Sequence, residues 1–459
     1  MRPSTCIRST EALPPTQKIR AHPSQYLRLG RMQEGMFEGG YSRCLMFLRP
    51  VLFAAVLALA FFATTLTASA EDTIRLGYTD PMSGPFGQVG QQNLAQFQYE
   101  IDYINAKGGA LGKKFVLVTF DNKSQPSEAL IALESMADQN MPVVMQGSGS
   151  NVAAALIDGI EKHNARNPDN RILYLNFGAV ATELTNENCS FWHFRFEANA
   201  DQKAMMLVRA LPPEVKRVYL LYQDYLYGQS VKRGVEHFLA KFRRDIEIVG
   251  NELIPLGKVK DFSPYTTKIK ASGAQALITG NWGPDLNLLI KAGMDAGLEV
   301  KYYTMAAHLG GGPTAIGPRG DGRVFSLIGF SENLAAEQGD PAVKEWVAQF
   351  RATHNFDFYW GGYSNMFEYL QAAIQKGGAV DPLKIAQAME GMALPDMLGH
   401  ETYMRADDHQ LMFPYYVAVF TKDVKYDAEK TGLGWKVIQT YAANDLALPT
   451  TCKMKRPGV

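Results

Sequence analysis

Ser148 and Ser150 stand in the run GSGSN at 147–151, directly after the apolar stretch PVVM at 142–145 and before a helical apolar pattern that starts at Val152. Small residues at a helix start leave backbone N–H groups free, and the helix dipole favours an anion there. Gly178, Ala179 and Val180 follow the apolar run ILYL at 172–175 and offer the same open backbone. Tyr78 and Phe86 lie at the end of the first such run and in the loop beyond it. Farther along, Tyr227, Asn281, Trp282 and His308 each come shortly after an apolar run. Rings and neutral amides suit the planar or apolar body of a ligand rather than its charge. The chemistry on offer is capture of a small anion, not bond making.

Each feature has a plainer reading. GSGS is also an ordinary tight turn with a helix cap, Tyr225 and Tyr227 are also ordinary surface tyrosines, and His308 an ordinary loop histidine. The run Gly310–Gly312 is given no role. No Gly-Lys-Ser/Thr follows the glycines, so a nucleotide phosphate loop is excluded, and with it a transport ATPase. GxSxG, HExxH and a GxGxxG after the first strand are all missing, so the chain reads as a non-enzyme without cofactor or metal.

The elements that must position these residues alternate. Residues 73–79 (TIRLGYT) read as a strand, and 94–104 as a helix closed by Gly108-Gly109. FVLVTF at 115–120 reads as a continuous, fully buried strand. Further strands fall at 142–145 and 172–175. The theme restarts with strands at 218–222, 246–253, 276–279 and 302–304 and helices at 228–242, 265–272 and 285–296. Alternation with short connections predicts α/β architecture with parallel sheets, in two similar units of roughly 120 residues. Helices at 343–350, 367–375 and 382–392, then strands at 401–404, 412–420 and 435–441, are too few for a third core. They complete both units, so the chain crosses between them more than once. The division expected is 71–195 with 329–397 as one lobe and 196–328 with 398–459 as the other, with a hinged cleft between. In such sheets ligands collect beyond the carboxyl ends of the strands, where the residues above lie. Trp360 and Tyr363 are further candidates to face the cleft.

Residues 51–65 (VLFAAVLALAFFATT) follow Arg49 and precede Ala68-Ser69-Ala70. A positive flank, a short apolar stretch and a small-residue cleavage pattern predict a secretory signal cleaved after Ala70 and export to the periplasm. Residues 1–40 resemble no export signal, and a start at Met36 or Met46 is expected. The whole chain holds 46 basic and 46 acidic residues; residues 1–70 carry eight and three of these, so the remainder holds 38 and 43, a net of −5. Nothing in this balance suggests nucleic acid. Of four cysteines, Cys189 and Cys452 survive cleavage. They stand either as separate thiols or, as an oxidising compartment favours, as one disulfide.

Taken together the residues resemble a known group. The stretch IRLGYTDPMSGPFGQVG near the start, Leu184-Thr185, YGQS at 227–230, DFSPYTTKIKASGAQALI at 261–278 and GYSNMFEYLQAAIQKGG within 361–378 are similar, in order and spacing, to type I periplasmic binding proteins of the leucine/isoleucine/valine-binding branch. The resemblance spans almost all of 73–450. It implies two Rossmann-like lobes joined by three hinge crossings, closing on a small ligand and delivering it to the permease subunits of an ABC importer. A monomer is expected. A periplasmic sensor subunit is the alternative within the same fold.

In that branch an amino acid is held by its carboxylate after the third and fourth strands and by its ammonium on an acidic side chain of the second lobe. Ser148, Ser150 and the backbone of Gly178–Val180 keep the carboxylate side in part, and Tyr227 matches the family's cleft tyrosine. Val180 stands where the family has threonine, and the loop after Thr304 reads MAAHLGGG, without the acid. A buried ammonium with no carboxylate partner costs several kcal/mol. The expected ligand is therefore a carboxylate with an apolar or aromatic body covered by Phe86, Tyr227 and Trp282, with Asn281 or His308 meeting a distal polar group. A branched-chain or other amino acid is the alternative.

Overall fold

The computed structural model describes residues 73–359 and 361–457, and the side chains of all of these except 361–364. The expected signal segment, its cleavage site, Trp360 and Tyr363 lie outside the residues and side chains so described.

The first lobe is laid down as β1 (Thr73–Asp80), α1 (Gly87–Ala106), β2 (Lys114–Asp121), α2 (Pro126–Asp138), β3 (Val143–Gln146), α3 (Ser150–Arg166), β4 (Leu173–Asn176) and β5 (His193–Arg195). The sheet order is β2-β1-β3-β4-β5, with every pairing parallel. β3 and β4 are buried at every position, as central parallel strands covered on both faces must be. β2 is not the buried strand expected. It forms the sheet edge, and Val116 is 41% exposed. An apolar run alone does not distinguish an edge strand, half in water, from a central one.

The second lobe repeats the plan. α4 (Ala200–Arg209) leads into β6 (Arg217–Gln223), α5 (Leu226–Phe242), β7 (Glu247–Ile254), α6 (Ser263–Ser272), β8 (Ala276–Thr279), α7 (Gly283–Asp295), β9 (Lys301–Thr304), α8 (Gly312–Ile316) and β10 (Val324–Ile328). The parallel order β7-β6-β8-β9-β10 mirrors that of the first sheet. Each lobe therefore has its topological switch point between two strands of matching rank, β1 with β3 and β6 with β8. The chain ends at those points open a crevice for a ligand.

The remainder comprises α9 (Glu332–Gln338), α10 (Pro341–Thr353), α11 (Gly361–Gly377), α12 (Pro382–Met389), β11 (Ala393–Pro395), β12 (Glu401–Met404), β13 (Leu411–Met412), β14 (Tyr415–Thr421) and β15 (Gly434–Tyr441). β14 and β15 extend the second sheet in antiparallel fashion. β11, β12 and β13 form a small sheet of their own. The strand expected at 412–420 is thus two strands, separated at Phe413-Pro414; proline has no N–H to give a ladder.

Three passages join the lobes. The first lies between β5 and α4. The second follows α9, where Asn333 Oδ1 still accepts from the amides of Lys425 and Tyr426 in the second lobe, whereas Trp346 of α10 packs its ring 4.8 Å from that of Tyr99 on α1. The third lies between β13 and β14. The sequence reading placed the second and third passages earlier, at 329 and 398. Arg195, fully buried at the end of β5, ties the first passage to the segment just before β13: its amide donates to His409 O at 2.9 Å and its Nε to Gln410 Oε1 at 2.7 Å. Beyond β15 the chain returns to the first lobe, where a disulfide joins Cys189 to Cys452 with Cα atoms 5.7 Å apart.

Candidate functional site

The lobes meet over a cleft of about 560 Å³, counting the space that opens to solvent. Its first-lobe wall is the loop after β3, the start of α3 and the loop after β4, with Ser148, Ser150, Gly178, Ala179 and Val180 on the lining. Gly147 allows the two loops to touch, since a Cβ there would lie 2.2 Å from the Phe177 ring. The second-lobe wall carries Tyr225, Tyr227, Trp282, Met305, His308 and Leu309. Asn93 and Val89 of α1 complete the floor.

Bonds and ring contacts reach across the cleft. The Leu226 amide at the start of α5 donates to Asn151 Oδ1 at 3.3 Å, and the Thr182 amide to Ser230 Oγ at 3.0 Å. The Phe86 ring lies 4.4 Å from that of Trp282. Gly283 beside it has φ +57°, and a Cβ there would come within 3.1 Å of Phe86. The lobes are therefore in contact at the cleft mouth, as in a closed form.

Ser148 keeps its place on the wall but not the role expected of it. Behind it lies Asp80, the last residue of β1 and fully buried. Asp80 Oδ1 accepts from the Ser148 amide at 2.8 Å, and Oδ2 accepts from Ser148 Oγ at 2.8 Å and Asn93 Nδ2 at 3.2 Å, with the Tyr78 hydroxyl oxygen 3.3 Å away. Burial pushes its carboxyl up to about 6, and the bonds from Ser148 and Asn93 oppose that rise. Ser148 thus gives both its donors to an internal carboxylate. In the same way the amides of Gly178 and Ala179 turn to Asn176 Oδ1, at 3.1 and 2.8 Å. The start of α3 is what remains for an anion. Ser150 Oγ accepts from the Ala181 amide at 3.2 Å and keeps its own proton to give, and the first amides of the helix have no carbonyl behind them.

Three more expectations are corrected. Tyr78 is not on the lining; it is a core residue whose hydroxyl donates to Gly90 O at 2.9 Å. Asn281 is fully buried off the lining, and its side-chain amide has no hydrogen-bond partner among the described residues. Phe86 closes the mouth against Trp282 rather than lining the cleft.

On the second lobe, Trp282 Nε1 donates to the Tyr225 hydroxyl at 2.7 Å, which fixes the two rings relative to each other. Tyr227 reaches Met305 Sδ at 3.4 Å. His308 sits 3.0 Å through Nδ1 from Ser326 Oγ; burial, and then Lys203, push it down to about 3, so it is neutral at pH 7.

Lys203 was not singled out from sequence. It is on α4, 4% exposed, and lines the cleft. Its Nζ lies 3.2 Å from Glu197 Oε1 and 5.3 Å over the Tyr415 ring. Asn199 and Gln202 form a capping box at the start of this helix, and that N-x-x-Q spacing was the available signal. Among the described lining residues Lys203 is the only one with a formal charge at pH 7. No group of three or more His, Cys, Asp or Glu able to hold a metal occurs among the described residues.

The geometry agrees with what comparison finds. The periplasmic binding protein family profile matches residues 73–425. A Leu/Ile/Val-binding protein homolog of Brucella melitensis is 29% identical over 430 residues, covering 90% of this chain and all of its own. The closed conformation of a leucine-, isoleucine-, valine-, threonine-, and alanine-binding protein from Brucella ovis superposes with TM-score 0.74 at 28% identity, covering 84% of this chain and 100% of that one. A solute-binding protein of an ABC transporter from Rhodopseudomonas palustris BisB5, in complex with 3,4-dihydroxybenzoic acid, shares the fold at TM-score 0.69 and 20% identity, over 81% and 98% of the two chains. The chain belongs to the periplasmic binding protein family, in its leucine/isoleucine/valine-binding-like branch, as a substrate-binding protein of the ABC-transporter type.

Proposed function

We propose that this protein closes on a small carboxylate with an aromatic or apolar body and presents it to an ABC permease at the inner membrane. One observation carries the reading: the single formal charge on the described lining is the cation Lys203, in a wall otherwise of rings, aliphatic groups and neutral polar groups. The start of α3 adds oriented amides for the same anion, and Ser150 adds a hydroxyl. Tyr225, Tyr227 and Trp282 cover the body. The fold neighbour that holds 3,4-dihydroxybenzoic acid supports the reading as a precedent for such a guest in this architecture.

The named relatives favour a branched-chain amino acid instead. That ligand brings an ammonium, and the loop after β9 offers Met305, Ala306 and His308 where an acid would be needed. Glu197 is engaged by Lys203 and is not on the lining. Titration calorimetry of the exported form against benzoate, 3,4-dihydroxybenzoate and leucine separates the two. Binding of an aromatic acid with no leucine signal supports the proposal; tight leucine binding without either acid overturns it.

A further inference from the structure

The bonds of Asp80 impose a polarity on the cleft that the fold alone does not require. Ser148, a lining residue, spends its hydroxyl proton on Asp80 Oδ2, and its amide spends its own on Oδ1. No lysine, arginine or histidine of the described residues is in salt-bridge contact with Asp80; its partners are neutral groups from β1, α1 and the loop after β3. An ionised carboxylate keeps the Ser148 and Asn93 donors turned toward itself. What Ser148 presents to the cleft is therefore lone pairs.

We propose that Asp80 is a specificity-determining positioning residue: by holding the Ser148 hydroxyl proton inward it makes this stretch of the wall select a hydrogen-bond donor, such as a ring hydroxyl, in addition to the ligand carboxylate. The inference rests on the carboxylate reading above and adds the second polar group of the ligand. A donor together with a carboxylate describes a hydroxylated aromatic acid better than an unsubstituted one. An aromatic acid without the donor leaves the Ser148 oxygen facing a ring edge and loses a hydrogen bond whose acceptor is polarised by a charge.

The test compares benzoate with 3,4-dihydroxybenzoate by titration calorimetry at pH 7.5 in the wild type, Asp80→Asn and Ser148→Ala. The expected wild-type preference for the dihydroxy acid is about tenfold, the ratio that one such hydrogen bond supplies. Ser148→Ala removes the acceptor and brings the ratio close to one while benzoate still binds. Asp80→Asn puts an amide against the Ser148 hydroxyl and reduces the ratio in the same way; should that variant fail to fold, Ser148→Ala decides. A preference for the dihydroxy acid that survives Ser148→Ala, or a wild type that prefers benzoate, overturns the assignment of Asp80 while leaving the carboxylate reading standing. A wild type that binds neither acid removes both. A purely structural role for Asp80 weakens both ligands together and leaves their ratio unchanged.

Discussion

Replacing Lys203 by methionine keeps most of the side-chain volume and removes the cation. Two effects follow. In the free protein Glu197, 1% exposed, loses the ammonium 3.2 Å away and keeps its bond from the Ala198 amide at 2.8 Å. Stranding a buried carboxylate in this way costs about 3–5 kcal/mol. In the complex the ligand carboxylate loses a charge-assisted bond, about 2 kcal/mol or roughly thirtyfold in Kd. Lys203→Met alone confounds these effects, so the informative variants are Glu197→Gln and the double change. Glu197→Gln releases Lys203 from its internal partner and tightens aromatic-acid binding, even as it destabilises the free protein. The double variant regains much of the stability lost by Lys203→Met, because neither member of the pair is left charged. It still binds about thirtyfold more weakly than wild type. Urea unfolding and titration calorimetry on the same preparations read the two effects. A double variant that binds 3,4-dihydroxybenzoate as wild type does, or a Glu197→Gln variant that loses binding, would refute the view of Lys203 as the anion's partner.

Phe86→Ala removes the ring that meets Trp282 across the mouth, and ligand affinity falls about tenfold from lost ring contact and buried area while the secondary structure is kept. Calorimetry with solution scattering of the liganded form checks it; unchanged affinity and unchanged compaction would show that the ring pair has no part in closure. Replacing Cys189 and Cys452 by serine opens a link across 263 residues, and the denaturant midpoint falls by an amount equivalent to about 2–4 kcal/mol while ligand affinity stays within about twofold. For Asp80 the folded-state value of about 6 lies above its ordinary 3.8, so its stabilising contribution is complete below pH 4 and is lost as pH rises through 6. The two-unit difference is worth about 3 kcal/mol, so Asp80→Asn gains on wild type by that order between pH 4 and 7 in urea unfolding. A gap between the two proteins that stays constant with pH contradicts it.

The sequence was informative wherever strand ends and small residues coincide. Ser150, Val180, Tyr227, Trp282 and His308 were found because the carboxyl ends of parallel strands are where ligands collect, and the order of apolar runs locates those ends. It was uninformative where side-chain direction decides. β1 is buried continuously from Leu76 to Asp80, so alternation could not show that Tyr78 faces the core. Asn281 and Trp282 are adjacent, and one turns inward while the other reaches the cleft. Lys203 was missed for a different reason. A lysine on a helix ordinarily faces water, and its burial becomes evident only when Glu197 from the preceding passage is brought beside it. Asp80 was passed over in the same way. An acid at a strand end reads as solvent-facing until the groups that surround it, from three separate segments, are seen together.

The charges nearest the cleft make a balance that the ligand must disturb. Asp80 and Glu197 are acids and Lys203 is the one base among these three, so bringing in a carboxylate adds a third negative charge to a region with one positive. The donors at the start of α3 offset part of that, but they carry partial charges only. Asp80, whose carboxyl already sits near 6, is the group able to relieve the remainder by taking a proton. Its surroundings in Tyr78, Asn93, Gly147, Ser148 and, farther off, Tyr174 hold no second acid or base that titrates near neutrality. Binding of an anion raises the carboxyl further, and linkage then requires that affinity for benzoate increase as pH falls from 7.5 toward 5.5. Protonation also frees Ser148 to donate, so the preference for 3,4-dihydroxybenzoate over benzoate shrinks over the same interval. Calorimetry at pH 6.5 in two buffers of different ionisation enthalpy reads the proton directly: uptake in wild type and none in Asp80→Asn. If wild type takes up no proton, the added charge is balanced elsewhere, and Asp80 does not sense the ligand.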